Sequence, residues 1–311
     1  MTHTIFIDGE AGTTGLEIRE RLEARKDLKL ILLGERRRDV EARREALNSA
    51  DAVILCLPDD AAKEAVSMIE NPSVRVIDAS TAFRVDPAWA YGFAEMDAGQ
   101  RAAIAASTRV SNPGCYPTGF IGLMRPLVRA GLVPSTQPVT VNAVSGYSGG
   151  GKAMIAEFEA EGASTAYRAY GLSQKHKHVP EMTLHTGLSR NVLFAPAVGN
   201  YRQGMLVEVP LHLSALPETP SVERLHGTLV EAYDGQRFVE VVDLDETEAM
   251  GGIEPEALNG TNRMRLHVFG DRGGEQARLV AMLDNLGKGA SGAAVQNLNI
   301  MLGLDEATGL I

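Results

Sequence analysis

The chain has 311 residues, 44% of them apolar and 23% charged, which excludes a disordered or fibrous protein and, at roughly 100 to 200 residues per domain, favours two packed domains. Thirty Lys and Arg against forty Asp and Glu leave a formal charge of -10, the wrong sign for a nucleic-acid or anionic-membrane partner, so any anionic ligand has to be held by local positive groups. Two cysteines make no disulfide framework in a chain of this size, and neither a signal peptide nor an apolar run of about eighteen residues is visible, so a cytoplasmic protein is expected.

Thr4 to Asp8 reads as a β-branched strand, broken by Gly9-Glu10-Ala11-Gly12-Thr13-Thr14-Gly15 and followed by a helix from Leu16 to Lys26. Further strands are expected at Leu28 to Leu33, Asp51 to Leu57 and Val74 to Ile77, with helices near Val40 to Leu47 and Asp60 to Ile69. Such alternation implies an α/β architecture, a Rossmann-type parallel sheet with crossover helices on both faces. After about Ser111 the texture changes. A helix from Cys115 to Ala130 and a strand from Val139 to Val144 lead into strands at Val192 to Phe194, Met205 to Leu213, Phe238 to Val242 and Met264 to Phe269, without regular helices between them, and a helix at Val222 to Ala232. That is an α+β catalytic domain with a mostly antiparallel sheet. An amphipathic helix from Ala290 to Leu302 is expected to return to the first domain, giving boundaries at 1–112, 113–284 and 285–311.

The turn after the first strand reads G-x-x-G-x-x-G. Gly9, Gly12 and Gly15 let the backbone approach a pyrophosphate whose charge is stabilised by free N–H groups at the N-terminus of the following helix, and Thr13 and Thr14 in the same turn are expected among the cofactor contacts. About twenty residues on, where the ribose is read, comes Gly34-Glu35-Arg36-Arg37-Arg38. Arginines there favour a 2′-phosphate over a free hydroxyl, so the expected cofactor is NADP(H), with Arg36 and Arg37 among its contacts.

Ser111-Asn112-Pro113-Gly114-Cys115-Tyr116-Pro117-Thr118-Gly119 places a cysteine at a helix start just after a Pro-Gly turn, where the dipole and free amides favour a thiolate. Cys56, inside a strand, reads as a small buried hydrophobe. Lys175-His176-Lys177-His178-Val179-Pro180-Glu181 gathers two imidazoles, two ammonium groups and a carboxylate, a source of acid/base chemistry and of tautomer control near neutral pH; the ligand set is wrong for zinc, and no metal is expected. Arg84 follows the fourth strand at the carboxyl edge of the sheet, where a guanidinium can hold a phosphate. Ser145-Gly146-Tyr147-Ser148-Gly149-Gly150-Gly151-Lys152 is a second Gly-rich loop, either closing on a nicotinamide or acting as a hinge.

Together these motifs, with Asp284-Asn285-Leu286-Gly287-Lys288-Gly289-Ala290-Ser291-Gly292 leading into Gln296-Asn297, resemble the N-acetyl-gamma-glutamyl-phosphate reductases of arginine biosynthesis, in particular the shorter-chain branch, over essentially the whole chain. The resemblance implies NADPH-dependent reduction of an acyl phosphate, with Cys115 as nucleophile, His178 as acid/base, and His176 and Glu181 as its supporting neighbours. It also implies Arg84 as a phosphate contact, Asn285 near the nicotinamide, and a homotetramer or homodimer built on the second-domain sheet; Asn112 and Lys175 are further expected at the substrate, and Ser145 and Gly149 at the cofactor. Two departures from the longer-chain branch stand out. Ser80-Thr81-Ala82-Phe83-Arg84 replaces Ser-Ala-Asp-Phe-Arg, and Phe194-Ala195-Pro196-Ala197 replaces a run ending in histidine, which leaves the Lys175 to Glu181 segment as the clustered acid/base source. Competing expectations are an aspartate-semialdehyde dehydrogenase, a reductase of carrier-protein-linked aminoadipyl or glutamyl phosphates, and a catalytically silent NADP sensor.

Overall fold

The computed structural model describes residues 2–310, the side chains of Arg37 and Arg38 excepted. The chain divides into two compact units: one runs to Ala94 and adds Ala98–Gly114 and the stretch from Ala290 onward, the other comprises Glu95–Asp97 and Cys115–Gly289.

The first unit holds a parallel sheet of β1 (His3–Asp8), β2 (Leu28–Ile31), β3 (Ala52–Leu55), β4 (Arg75–Asp78), β5 (Ala90–Tyr91) and β6 (Arg109–Ser111) in the order β2-β1-β3-β4-β6-β5. Its helices are α1 (Thr13–Glu23), α2 (Val40–Ser49), α3 (Asp59–Ser67) and α4 (Gln100–Ala106). The strands are buried on both faces. Ile5, Ile7, Ala52, Ile54 and Ile77 turn to a cluster with Ile18, Leu22 and Ile104, whereas Phe6, Val53, Leu55 and Val76 turn to one with Ala46, Leu47, Ala62 and Ala65. The order reverses between β1 and β3, the point at which ligands enter open parallel sheets, and the Gly9 turn leaves β1 there.

The second unit holds a mixed sheet: β7 (Thr140–Gly146), β8 (Tyr167–Ala169), β9 (Leu193–Gly199), β10 (Met205–His212), β11 (Val239–Val241), β12 (Met264–Gly270) and β13 (Gln276–Leu283), in the order β11-β12-β13-β10-β7-β9-β8. Its pairings are antiparallel except β7 with β9 and β11 with β12. Its helices are α5 (Cys115–Arg129), α6 (Gly151–Phe158), α7 (Val179–Thr186), α8 (Val222–Tyr233) and α9 (Leu244–Ala249). The expectation of strands without helices between them is corrected by α6, α7 and α9, each of eight residues or fewer and too short for a visible apolar period.

α5 lies close on the sheet because its facing residues are small. A β-carbon on Gly119 would come within 2.9 Å of Val207 Cγ2, and one on Gly122 within 2.7 Å of Met264 Cε. Pro126 lies inside α5, so the carbonyl four residues back at Gly122 loses its helical donor. The Tyr233 hydroxyl replaces it, donating to Gly122 O at 2.8 Å.

The C-terminal helix, α10 (Gly292–Met301), belongs to the first unit and packs Ala294, Val295, Leu298 and Met301 against the β1/β3 cluster. It is not amphipathic as expected: Gln296, Asn297 and Asn299 are buried with the rest. The Asn297 amide nitrogen donates to Gly92 O at 2.9 Å, and Asn299 accepts from Arg25 Nη1 at 2.6 Å, so these buried polar groups are bonded inside the protein, whereas Asn297 Oδ1 is buried without a hydrogen-bond partner among the described residues.

Candidate active site

In the first unit, the Gly9 turn is as tight as its sequence suggests. Gly9 has φ +91°, and a β-carbon there would stand 2.3 Å from Cys56 O, while one on Gly15 would stand 2.4 Å from Gly9 O. Gly12 N–H donates to Gly9 O at 2.9 Å, and Gly12 caps α1 without a side-chain bond. Thr13 and Thr14 open a first turn that contains no acidic residue, so main-chain N–H groups are left to an anion, the requirement of a pyrophosphate. Arg36 lies in the exposed 3-10 turn Gly34–Arg38, its guanidinium 3.5 Å from Asp39; the Arg37 side chain falls outside the described residues. Cys56 is one residue beyond β3, and burial, with the Asp78 and Asp8 carboxylates, pushes its thiol up to about 12. It is inert at neutral pH.

Arg84 is largely buried beside the β4 end, donating from Nε to Asn112 O at 2.9 Å and from Nη2 to Ala79 O at 3.1 Å. Its charge moderates the buried Asp78, whose carboxyl is nonetheless raised to about 6 by burial. Asn112 Nδ2 donates to Ala290 O at 2.9 Å and its Oδ1 accepts from Asn297 Nδ2 at 3.1 Å, so its amide ties the Pro113-Gly114 turn to Ala290 and to α10 within the unit.

In the second unit, Cys115 is the first residue of α5 and partly exposed. Beside it, Tyr116 is buried, donates to Ala197 O at 3.1 Å and accepts from the Tyr170 hydroxyl at 3.1 Å. Burial pushes Tyr170 up to about 12, and the charge of the Cys115 sulfur adds to that rise. The Tyr116 ring lies 6.0 Å from the His178 ring and edge-on to Phe194 at 5.2 Å, while His176 stands 4.7 Å from His178, 5.8 Å from Tyr170 and 5.2 Å from Phe194, centroid to centroid. The neighbour of Cys115 and both histidines therefore share one aromatic cluster.

His178 is buried at the N-cap of α7, and Pro180 occupies a first-turn position where its missing N–H costs nothing. The His178 main-chain N–H donates to His176 Nδ1 at 3.2 Å, which places the His176 proton on Nε2 when the ring is neutral. Burial and then Lys177 lower the His176 pKa, favouring that neutral form. Glu181 is buried in the first turn of α7, and Lys175 is exposed. Ser145 is buried at the β7 end and donates to Gly146 O at 3.1 Å; a β-carbon on Gly149 would meet its Oγ at 3.2 Å. Asn285 donates to Ser148 Oγ at 3.0 Å and accepts from Gly204 N–H at 2.8 Å.

Sequence reasoning misses several members of this neighbourhood. Tyr170 becomes visible only once β8 and β9 pair, because 54 residues separate it from Tyr116. Gly289 backs onto Cys115: a β-carbon there would be 2.7 Å from Cys115 Cβ and 3.1 Å from Asp284 O. The turn is held by Asp284, whose carboxylate accepts from Gln203, Gly260 N–H and Leu286 N–H.

Residues 4–105 match the semialdehyde dehydrogenase NAD binding domain, and residues 115–285 the semialdehyde dehydrogenase dimerisation domain. Solved structures of similar fold include aspartate semialdehyde dehydrogenase II of Vibrio cholerae, with a TM-score of 0.71 at 16% identity over 97% of this chain and 99% of that one. An aspartate semialdehyde dehydrogenase of Candida albicans solved with NADP gives 0.66 at 13% identity, covering 97% and 99%. The fold and the domain matches make the chain a member of the semialdehyde dehydrogenase family. Relatives named N-acetyl-gamma-glutamyl-phosphate reductase are 57% identical in Rhizobium etli, over 97% of this chain and 99% of the relative, and 54% identical in Burkholderia ambifaria, over 97% of both. Within that class, the chain belongs to the N-acetyl-gamma-glutamyl-phosphate reductase family.

Proposed function

We propose that the chain reduces N-acetyl-L-glutamyl 5-phosphate to N-acetyl-L-glutamate 5-semialdehyde and phosphate, in arginine biosynthesis, with NADPH as reductant. The observation that carries this reading is a helix-start cysteine whose neighbour Tyr116 packs in one aromatic cluster with two histidines, in a chain 57% identical to a relative named N-acetyl-gamma-glutamyl-phosphate reductase.

The Cys115 sulfur attacks the acyl carbonyl, the C–O bond to phosphate breaks, and a thioester forms. The first-turn amides of α5 are suited to stabilising the oxyanion of each tetrahedral species. NADPH, held by the residues named below, would supply the hydride for reduction of the thioester to a thiohemiacetal. His178 delivers the proton to the hemiacetal oxygen and takes it back as the carbon–sulfur bond breaks, while His176 and Glu181 keep that ring oriented. Gly9, Gly12, Thr13, Thr14 and Gly15 hold the pyrophosphate, Arg36 and Arg37 the 2′-phosphate, and Ser145, Gly149 and Asn285 the nicotinamide end. Arg84 and Lys175 supply positive charge for the acyl phosphate. Asn112 joins them at the substrate, and its amide also bonds Ala290 O and Asn297, which holds the turn before Cys115. The enzyme works as a homodimer or homotetramer in the cytoplasm; the match of residues 115–285 to a dimerisation domain supports self-association, and among the described residues no helix is long and apolar enough to cross a membrane.

The test is phosphate-dependent oxidation of N-acetylglutamate semialdehyde with NADP, run beside aspartate semialdehyde. The N-acetylated substrate is expected to be preferred by at least about a hundredfold, as in a chain 57% identical to a relative named for that substrate, the shorter amino-bearing analogue lacking both the acetamide and a methylene. Cys115→Ala is expected to lose turnover while still binding NADP. Preference for aspartate semialdehyde would reassign the substrate, and turnover near the parent level in Cys115→Ala would remove the covalent mechanism.

A further inference from the structure

We propose that the buried ion pair between Lys288 and Glu95 is a positioning device for the nucleophile, fixing the turn that presses Gly289 against Cys115. The inference deepens the reading of Cys115 as nucleophile and rests on it.

Lys288 and Glu95 are 1% and 2% exposed, with Nζ 2.7 Å from Oε2. The ammonium also lies 5.6 Å from the centre of the Phe238 ring. Such a pair is costly to desolvate, and two well-packed apolar side chains of similar volume often stabilise a fold as well, so stability is a weak account of it. Its position gives a better one. Lys288 immediately precedes Gly289 in a π-helical turn, Gly287–Ser291, a local winding that is rare and concentrates at functional sites. Gly289 leaves no slack behind the cysteine: a β-carbon would overlap both Cys115 Cβ and Cys115 Cα, at 2.7 and 3.2 Å.

The other end of the pair is anchored to the same helix. Glu95 begins the three-residue segment Glu95–Asp97, and Asp97 accepts from Arg125 Nε at 3.0 Å and pairs with Arg129, both on α5. Glu95 also acts on Tyr233, its charge adding to the burial that raises that phenol, and Tyr233 donates to Gly122 O in the middle of α5. Thus α5 is gripped at its first residue by the Gly289 turn and along its length by partners of the Glu95 segment, with the ion pair joining the two. A helix-start thiolate depends on its placement over the first-turn amides, and displacement of about 1 Å at a reacting group is enough to cost up to a hundredfold in rate. Lys288 and Glu95 are positioning residues; neither is assigned a contact with substrate.

The test replaces both charges at once, Lys288→Met with Glu95→Leu, so that no unpaired charge is left buried. Thermal melting reports the fold, kcat and KM report turnover, and the pH dependence of iodoacetamide labelling at Cys115 reports the thiolate. Melting close to the parent is expected, with kcat down about tenfold or more, KM within about threefold, and the labelling midpoint raised by about half a pH unit or more. A well-folded double variant with the parent's kcat and labelling profile overturns the proposal. Should the double variant not fold, Glu95→Gln, which keeps the shape and an acceptor oxygen, is measured in the same way, with the same shifts expected and the parent's profile again overturning the proposal; unfolding of both marks the pair as structural and equally overturns it. Labelling needs no substrate, so a protein that reduced no acyl phosphate would fail the functional reading and still return a result here.

Discussion

Gly9 illustrates what a single residue dictates and how early it can be recognised. The glycine spacing after β1 is a local signal, and its physical reason is also local: φ +91° and a carbonyl 2.3 Å from where a β-carbon would stand. Gly9→Ala is expected to distort the turn and weaken NADP binding at least about tenfold, since the strain and overlap together exceed the roughly 1 kcal/mol that a compatible glycine replacement involves. Titration of intrinsic fluorescence with NADP measures it, and unchanged affinity would separate the turn from the cofactor. Cys115 is legible for a similar reason, the Pro113-Gly114 turn and Pro117 marking a helix start in the sequence itself. Tyr170, Gly289 and Glu95 are not, because each acquires meaning from a neighbour far along the chain. Asn112 shows what the sequence leaves unseen: its amide beside the Cys115 turn bonds Ala290 O and Asn297, partners 178 and 185 residues along the chain.

The elements divide along the same line. β1, β3, β4 and α5 carry strong periodic or apolar signals and lie close to where the sequence puts them. β13 escapes the sequence although it is central in its sheet, because alanines at 277 and 281 and Arg278 dilute the β-branched signal and only its pairing with β10 and β12 reveals its place. α7 reads in sequence as a catalytic segment without its helix. α5 adds a feature that no propensity scale predicts, a proline-opened carbonyl at Gly122 closed by the Tyr233 hydroxyl. Tyr233→Phe leaves that buried carbonyl without its donor and is expected to cost about 1–3 kcal/mol of stability, read as a lower denaturant midpoint at unchanged slope. A variant as stable as the parent would mean that α5 relaxes around Pro126 unaided.

For the whole molecule, the two-sheet α/β architecture is legible from the change of texture near Ser111, and the family from the combination of motifs; the mixed pairing of the second sheet depends on long-range register that spacing does not encode. Stability of the whole chain should carry a pH signature from two buried groups of opposite sign. His267, 1% exposed, is held down to about 4 by burial. Below about pH 6.5 the unfolded chain takes up a proton there that the folded chain refuses until about pH 4, so its contribution is complete above 6.5 and lost as pH falls. Asp78, raised to about 6, keeps a proton that the unfolded chain releases, so it favours folding as pH falls through 6. Comparison with His267→Leu isolates the first: relative to the variant, the parent is expected to lose about 3 kcal/mol between pH 6.5 and 4, and parallel pH–stability curves would contradict the assignment.

The covalent step is open to direct observation in the oxidative direction. With N-acetylglutamate semialdehyde and NADP present and phosphate withheld, the thioester has no acceptor and should accumulate: one NADPH per chain in a burst, and an N-acetylglutamyl mass increment confined to the peptide containing Cys115, released on adding phosphate. NADPH formation with Cys115 unmodified, or acylation at another residue, would contradict the account.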